Sequence, residues 1–190
     1  MTSLKHTAGK AFAAIGIAGM LLAGTAGAAL AAEGPDQPGS PSEGKLILHK
    51  YLGAEGAENN SGVALVDTSG LGSEVEGVKF KVERVGVKSG EDCTPLDLAN
   101  TADWTKLPAT VEEAQGSDFC LEAVSGSPIT SVAGGVSLTL PLGQYLVTET
   151  DVTGANVGGE SVNIVSEVAP FLVTIPTSYT NEDGQKVWNY

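Results

Sequence analysis

The sequence predicts an all-β fold, an antiparallel β-sandwich behind an N-terminal leader. Three observations carry this. Short runs of alternating apolar and polar residues recur between Lys45 and Tyr190, the pattern of half-buried antiparallel strands. Gly and Pro, 25 and 9 of the 190 residues, punctuate those runs as turns. No strand–helix–strand rhythm of the kind that builds a parallel sheet is present, and no internal repeat.

The leader comes first. Lys5, His6 and Lys10 make a basic start, and Ala11 to Ala23 is an apolar core of signal-peptide length. Ala29-Leu30-Ala31 supplies a small-x-small pattern, so cleavage is expected after Ala31, with Ala32 the near alternative. The competing reading is a membrane anchor, since no charge occurs from Ala11 to Ala32. Against it, the second half of that stretch is Gly, Ala and Thr and runs into Glu33-Gly34-Pro35-Asp36. Residues 1–31 are therefore read as an export signal. Residues 32–44, rich in Pro, Gly and Ser, are expected to be a disordered leader.

The domain is expected over residues 45–190. Lys45–Tyr51 is a strand that turns Leu46, Leu48 and Lys50 to one face and Ile47, His49 and Tyr51 to the other. Residues 53–74 read as loop. Gly77–Val85 alternates with Val78, Phe80 and Val82 inward. From Leu96 the texture changes: Leu96, Leu98, Ala99, Ala102 and Leu107 have near-helical spacing, which predicts one short helix over 96–106 and another turn at 110–114. Strands return at 136–140, at 144–150 with Tyr145, Val147 and Glu149 on one face, at 163–166, and at 169–176 between two prolines. A turn at 180–184 leads into a last strand at 186–190.

Composition bounds the function. The chain has 23 acidic and 10 basic side chains, a formal charge of −13. Loss of residues 1–31 removes Lys5, Lys10 and no acid, which takes the charge to −15. Such a chain is a poor partner for nucleic acid, whose phosphates need clustered Lys and Arg. No GxSxG, P-loop, HExxH or GxGxxG occurs. His49 is the one histidine beyond the leader, and a lone strand histidine is ordinarily structural. The carboxylates lack calcium-loop spacing, so no metal site and no cofactor is expected.

Cys93 and Cys120 in an exported chain most simply form one disulfide, the alternatives being two free thiols or a metal site. Lys50 and Glu149 stand out differently. Each shares a strand face with apolar residues, so each either enters the core or sits at its strand end and reaches back to water.

Four segments occur in order: Gly44–Tyr51 (GKLILHKY), Leu140–Thr150 (LPLGQYLVTET), Ala169–Thr177 (APFLVTIPT) and Val187–Tyr190 (VWNY). Together they resemble the N-terminal domain of the sortase-assembled major pilins of Gram-positive bacteria, the SpaA/SpaH-like backbone fimbrial subunits. The resemblance covers residues 44–190. It implies an Ig-like, CnaB-like β-sandwich and a structural shaft subunit rather than an enzyme. Its partners would be other pilin subunits and a pilus-specific sortase, and its place a pilus on the cell wall. It also implies a pilin-motif lysine and an LPXTG-type sorting signal beyond Tyr190, so that this chain would be the N-terminal part of a longer precursor.

The resemblance further implies an intramolecular isopeptide bond between a first-strand lysine and a last-strand asparagine, assisted by a buried acid. Lys50 matches the lysine and Glu149 the acid; the family's asparagine would follow the pilin-motif lysine beyond Tyr190, with Asn189 the substitute candidate in this chain. The alternative function is a minor or tip pilin, or an adhesin domain, that contacts a host glycan or matrix protein through the 53–74 and 86–118 segments.

Overall fold

The computed structural model describes residues 11–16, 34–52, 68, 70–165, 167–181 and 183–190. Ala31 and the expected cleavage site lie outside them. Among the described residues fourteen strands and two single-turn helices follow in the order β1 (Ala11–Gly16), β2 (Glu43–Leu52), β3 (Ser73–Glu74), β4 (Lys79–Ser89), β5 (Asp92–Pro95), α1 (Thr101–Trp104), α2 (Val111–Ala114), β6 (Phe119–Ala123), β7 (Ile129–Thr130), β8 (Val136–Pro141), β9 (Gly143–Asp151), β10 (Asn156–Val157), β11 (Glu160–Ser161), β12 (Phe171–Ile175), β13 (Thr177–Thr180) and β14 (Lys186–Asn189).

Two antiparallel sheets make the body. In the first, β2 is central: β1 pairs with one edge over Ile47–Leu52, while β8 and β3 share the other. In the second, β12, β9 and β4 run side by side, and β5, β6 and β7 pair with β4. Their inner faces close on one core: Leu46 and Leu48 of β2 and Leu140 of β8 meet Phe80 and Val82 of β4, Tyr145 and Val147 of β9, and Val173 and Ile175 of β12. The all-β sandwich and the facing of each of these residues match the alternation in the sequence. Two hairpins, β10–β11 and β13–β14, stand outside the two sheets.

The region between β5 and β6 corrects the expected helix at 96–106. Helix α1 spans only Thr101–Trp104 and starts where the Asn100 side chain accepts the Ala102 N–H. Leu96 and Leu98 are both buried but in different places, Leu96 against Val85 and Ala114, Leu98 in the main core. Beyond β5 the chain is irregular at 96–97 and turns at 98–99, with Asn100 N–H donating to Asp97 O, so the near-helical apolar spacing does not build a helix before Thr101. Helix α2 lies at the expected 110–114 turn, capped by the Thr110 hydroxyl accepting from Glu113 N–H. The insertion thus folds over the outer face of β4 and builds a second, smaller core of Val85, Leu96 and Ala114, with Leu107, Phe119, Leu121 and Leu172 around it.

Two other expectations change. Residues 34–42, expected as a disordered leader, form hydrogen-bonded turns: Gln37 N–H donates to Gly34 O, Ser40 N–H to Gln37 O, and the Thr101 hydroxyl to Asp36 Oδ2. Gly34 lies against the indole of Trp188, which meets Trp104 edge-on at 5.5 Å. Proline and glycine set tight turns here instead of leaving the segment free. No strand forms over Asn163–Val165, although Ile164 is buried; the neighbouring strand is β11 at Glu160–Ser161.

Candidate functional site

Strand alternation sends Lys50 inward behind Leu46 and Leu48, and Glu149 inward behind Tyr145 and Val147. Lys50 is 0% exposed, and both side chains of the pair are wholly buried. Lys50 Nζ donates to Glu149 Oε2 at 2.5 Å, a charge-assisted bond that ties the first sheet to the second across 99 residues of sequence. The snorkelling alternative for both residues is therefore overturned. Glu149 lies opposite Phe80 in the β4–β9 ladder, so its carboxylate has an aromatic neighbour on the same face. Glu149 Oε1 is buried with no hydrogen-bond partner among the described residues. A carboxylate oxygen in that state has room for one further donor, and leaving it unmet is costly.

Asn189 is not brought to this pair. It lies in β14 opposite Thr177. The backbone of the next residue, Tyr190, touches Gly44, where an added Cβ would come 2.6 Å from it. Gly44 precedes Lys50 by six residues on β2, about 20 Å of strand. That is more than the Lys and Asn side chains span together.

Cys93 and Cys120 form the expected disulfide. It lies over Gly86 of β4, where an added Cβ would be 2.9 and 3.0 Å from the two sulfurs. The bond therefore joins β5 to β6, closing the two ends of the insertion on each other, and Gly86 of β4 leaves room for it. The remaining alternatives, free thiols and a metal site, do not apply.

Two polar arrangements carried no clear signal in the sequence. His49 Nδ1 and Glu74 Oε1 meet at 2.8 Å on the outer face, and Glu74 Oε2 accepts the Gly134 N–H. Burial pushes the Glu74 carboxyl up, but the bonds from Gly134, His49 and Gly135 outweigh it and hold the group below its ordinary value. The His49 ring occupies the place a Cβ would take at Gly135, whose φ of +81° also requires glycine. This makes His49 a structural residue, as a lone strand histidine ordinarily is. Arg84, facing the same way as Tyr145, donates from Nη2 to the carbonyls of Leu96 and Leu142 and so joins the insertion to the β8–β9 turn. Tyr145 closes that turn itself: its hydroxyl donates to Pro141 O at 2.6 Å, and burial raises the phenol to about 12.

The fold and its interior define a class: an antiparallel β-sandwich with a wholly buried lysine–carboxylate pair between the sheets. Residues 41–190 match the family described as "Gram-positive pilin subunit D1, N-terminal domain", and the chain belongs to that family. It is 28% identical over 165 residues to a "Fimbrial subunit type 2" of Actinomyces naeslundii, across 77% of this chain and 27% of that protein. Among solved structures it is similar to the full-length major pilin SpaD from Corynebacterium diphtheriae, at 28% identity and a TM-score of 0.40, over 73% of this chain and 27% of that one. The chain thus spans about a quarter of the length of each. Among the described residues no helix is long and apolar enough to cross a membrane.

Proposed function

We propose that this chain is the N-terminal domain of a shaft subunit in a covalently assembled surface pilus. The observation that carries the proposal is the family match over residues 41–190, with relatives named as a fimbrial subunit and a major pilin. Other pilin subunits are its partners in the shaft, and a sortase joins them through a lysine that follows in the longer precursor. The insertion between β5 and β6 packs Leu96 and Leu107 against the core that holds Val85 of β4. That gives it a structural task and favours the shaft reading over a host-binding tip. The test is deletion of the gene, followed by immunogold labelling and by gels of detergent-resistant cell-wall polymers. Loss of the whole polymer ladder is expected. A ladder that persists, with only a terminal band lost, would assign the protein to the tip.

Lys50 and Glu149 are, on this reading, two of the three groups of an intramolecular isopeptide site. In its neutral form the Lys50 amine attacks the side-chain carbonyl carbon of an asparagine on a strand beside β2. A new C–N bond forms, the carboxamide C–N bond breaks, and ammonia leaves. The Glu149 carboxyl polarises the carbonyl and passes the proton from the attacking to the departing nitrogen. Its unpartnered Oε1 supports a place for that third group. Intact-mass spectrometry of the longer chain is expected to show the loss of one ammonia, absent in Lys50→Ala and in Glu149→Ala. An unchanged mass in the wild type refutes the bond for this domain.

A further inference from the structure

The β13–β14 hairpin belongs to neither sheet of the sandwich. A ribbon of two short strands is marginal in water unless its side chains are held by something else. Here the hold is aromatic. Trp188 of β14 meets Trp104 of α1 edge-on at 5.5 Å, and the Lys186 ammonium lies 4.5 Å from the centre of the Trp188 ring. Trp104 is itself fixed: it packs on the main core, and its indole N–H donates to Leu98 O at 2.9 Å.

Gly34, Pro35 and Asp36 complete this joint from far away in the sequence. An added Cβ at Gly34 would lie 3.6 Å from Cζ2 of the Trp188 indole and 3.0 Å from Asp36 Oδ1, so a side chain there would press on the carboxylate. Pro35 is buried, while Asp36 and Pro38 on either side of Gln37 are exposed. Asp36 Oδ2 accepts the Thr101 hydroxyl at 3.1 Å, across 65 residues, and Thr101 stands on the same short helix as Trp104. The segment is shaped by its own turn: Gly34 O accepts from Gln37 N–H and from the Ser40 hydroxyl, both at 3.1 Å. A glycine for close approach to a ring, a buried proline with fixed φ and a carboxylate on a hydroxyl are three separate requirements. Proline-bearing segments on aromatic surfaces are a recurring mode of peptide recognition.

We propose that Thr101, Trp104 and Trp188 form a binding site for a Gly-Pro-Asp peptide, that residues 34–36 of this chain occupy it, and that this occupancy holds the β13–β14 hairpin on the sandwich. The peptide bridges the insertion, through Thr101, to the hairpin, through Trp188, and so braces an element that no sheet ladder secures. The site needs neither the Lys50–Glu149 pair nor any residue beyond Tyr190. Because the peptide is tethered, its effective concentration at the site is about millimolar, and a free peptide has to be supplied at that level to replace it.

The test is residue-resolved amide exchange by NMR on the full chain, on the same chain lacking residues 34–40, and on the Asp36→Ala variant of the full chain. In the full chain the ladder amides of β13–β14 exchange slowly. The deletion speeds them at least about ten-fold, while the β4–β9 ladder keeps its protection. Asp36→Ala, which removes one hydrogen bond, speeds them about five-fold. A synthetic peptide of residues 33–41, added to the deletion chain at about millimolar concentration, restores protection and shifts the indole N–H signals of the chain's two tryptophans, Trp104 and Trp188. The same peptide with Gly34→Val does neither. Equal β13–β14 exchange with and without residues 34–40, or a Gly34→Val peptide as effective as the native one, overturns the proposal. If the deletion also speeds the β4–β9 ladder, Asp36→Ala decides: faster exchange confined to β13–β14 supports the site, and exchange equal to that of the full chain overturns it.

Discussion

Removing one member of the Lys50–Glu149 pair, and then both, tests what the buried charges do for the fold. Both side chains are wholly buried and share one 2.5 Å hydrogen bond, so each depends on the other for nearly all its compensation. Lys50→Met leaves a carboxylate with neither oxygen met, since Oε1 already lacks a partner. Glu149→Leu leaves a buried ammonium without its carboxylate partner. Breaking such a pair from one side costs about 3–5 kcal/mol, because the remaining charge stays desolvated or must be neutralised. Replacing both by apolar residues of similar volume removes the desolvation cost with the attraction, and pairs so replaced come out neutral or stabilised by about 1–4 kcal/mol. Urea unfolding of the wild type, the two single variants and the Lys50→Met/Glu149→Leu double variant closes a double-mutant cycle. Each single variant is expected to lose about 3–5 kcal/mol, which is about 10–15 °C in Tm for a domain of this size. The double variant is expected at or above the wild type. Single variants within about 1 kcal/mol of the wild type, with additive effects, would mean that the pair is not desolvated and that the argument from burial is wrong.

Further outcomes follow from single positions. Gly86→Ala sets a methyl 2.9 and 3.0 Å from the disulfide sulfurs and 2.7 Å from Thr94 O, and is expected to lower stability by about 1–3 kcal/mol in thermal unfolding; an unchanged Tm contradicts it. The Cys93→Ser/Cys120→Ser variant opens a loop with a sequence separation of 27. The chain-entropy relation gives a loss of about 3–4 kcal/mol, and a loss below about 1 kcal/mol in urea unfolding would show that the insertion's own core holds it. The Tyr145 phenol, raised to about 12 by burial, binds its proton more tightly when folded than when unfolded. Its contribution to stability is therefore complete below about pH 10 and is lost as the pH rises toward 12. Comparison with Tyr145→Phe by alkaline unfolding should show that part of the pH dependence vanish, and identical profiles would exclude it.

Much of the sandwich is legible in the sequence because its signal is local. Alternation fixes which way a strand residue points whatever its neighbours are, so Leu46, Leu48, Phe80, Val82, Tyr145 and Val147 are assignable to the core before any sheet is known. The same rule put Lys50 and Glu149 on apolar strand faces but left open whether they enter the core or reach back to water. Alternation fails where tertiary packing overrides it. Leu96 and Leu98 look helical in spacing, yet they serve two different cores from an irregular, turning segment. Residues 34–42 look disordered by composition, yet their turns are held by contacts with Thr101 and Trp188, more than sixty residues away.

The amino-acid sequence by itself determined the strand faces, the cysteine count and the family of this chain, since each of these rests on residue type and short spacing. Only the tertiary structure decided that Lys50 meets Glu149, that Asn189 lies too far along β2 to reach them, and that the disulfide closes over Gly86. The physical reason is the same in each case. Sheet order and register are set by which strands bury their apolar faces together, and that is a property of the whole core rather than of any one segment.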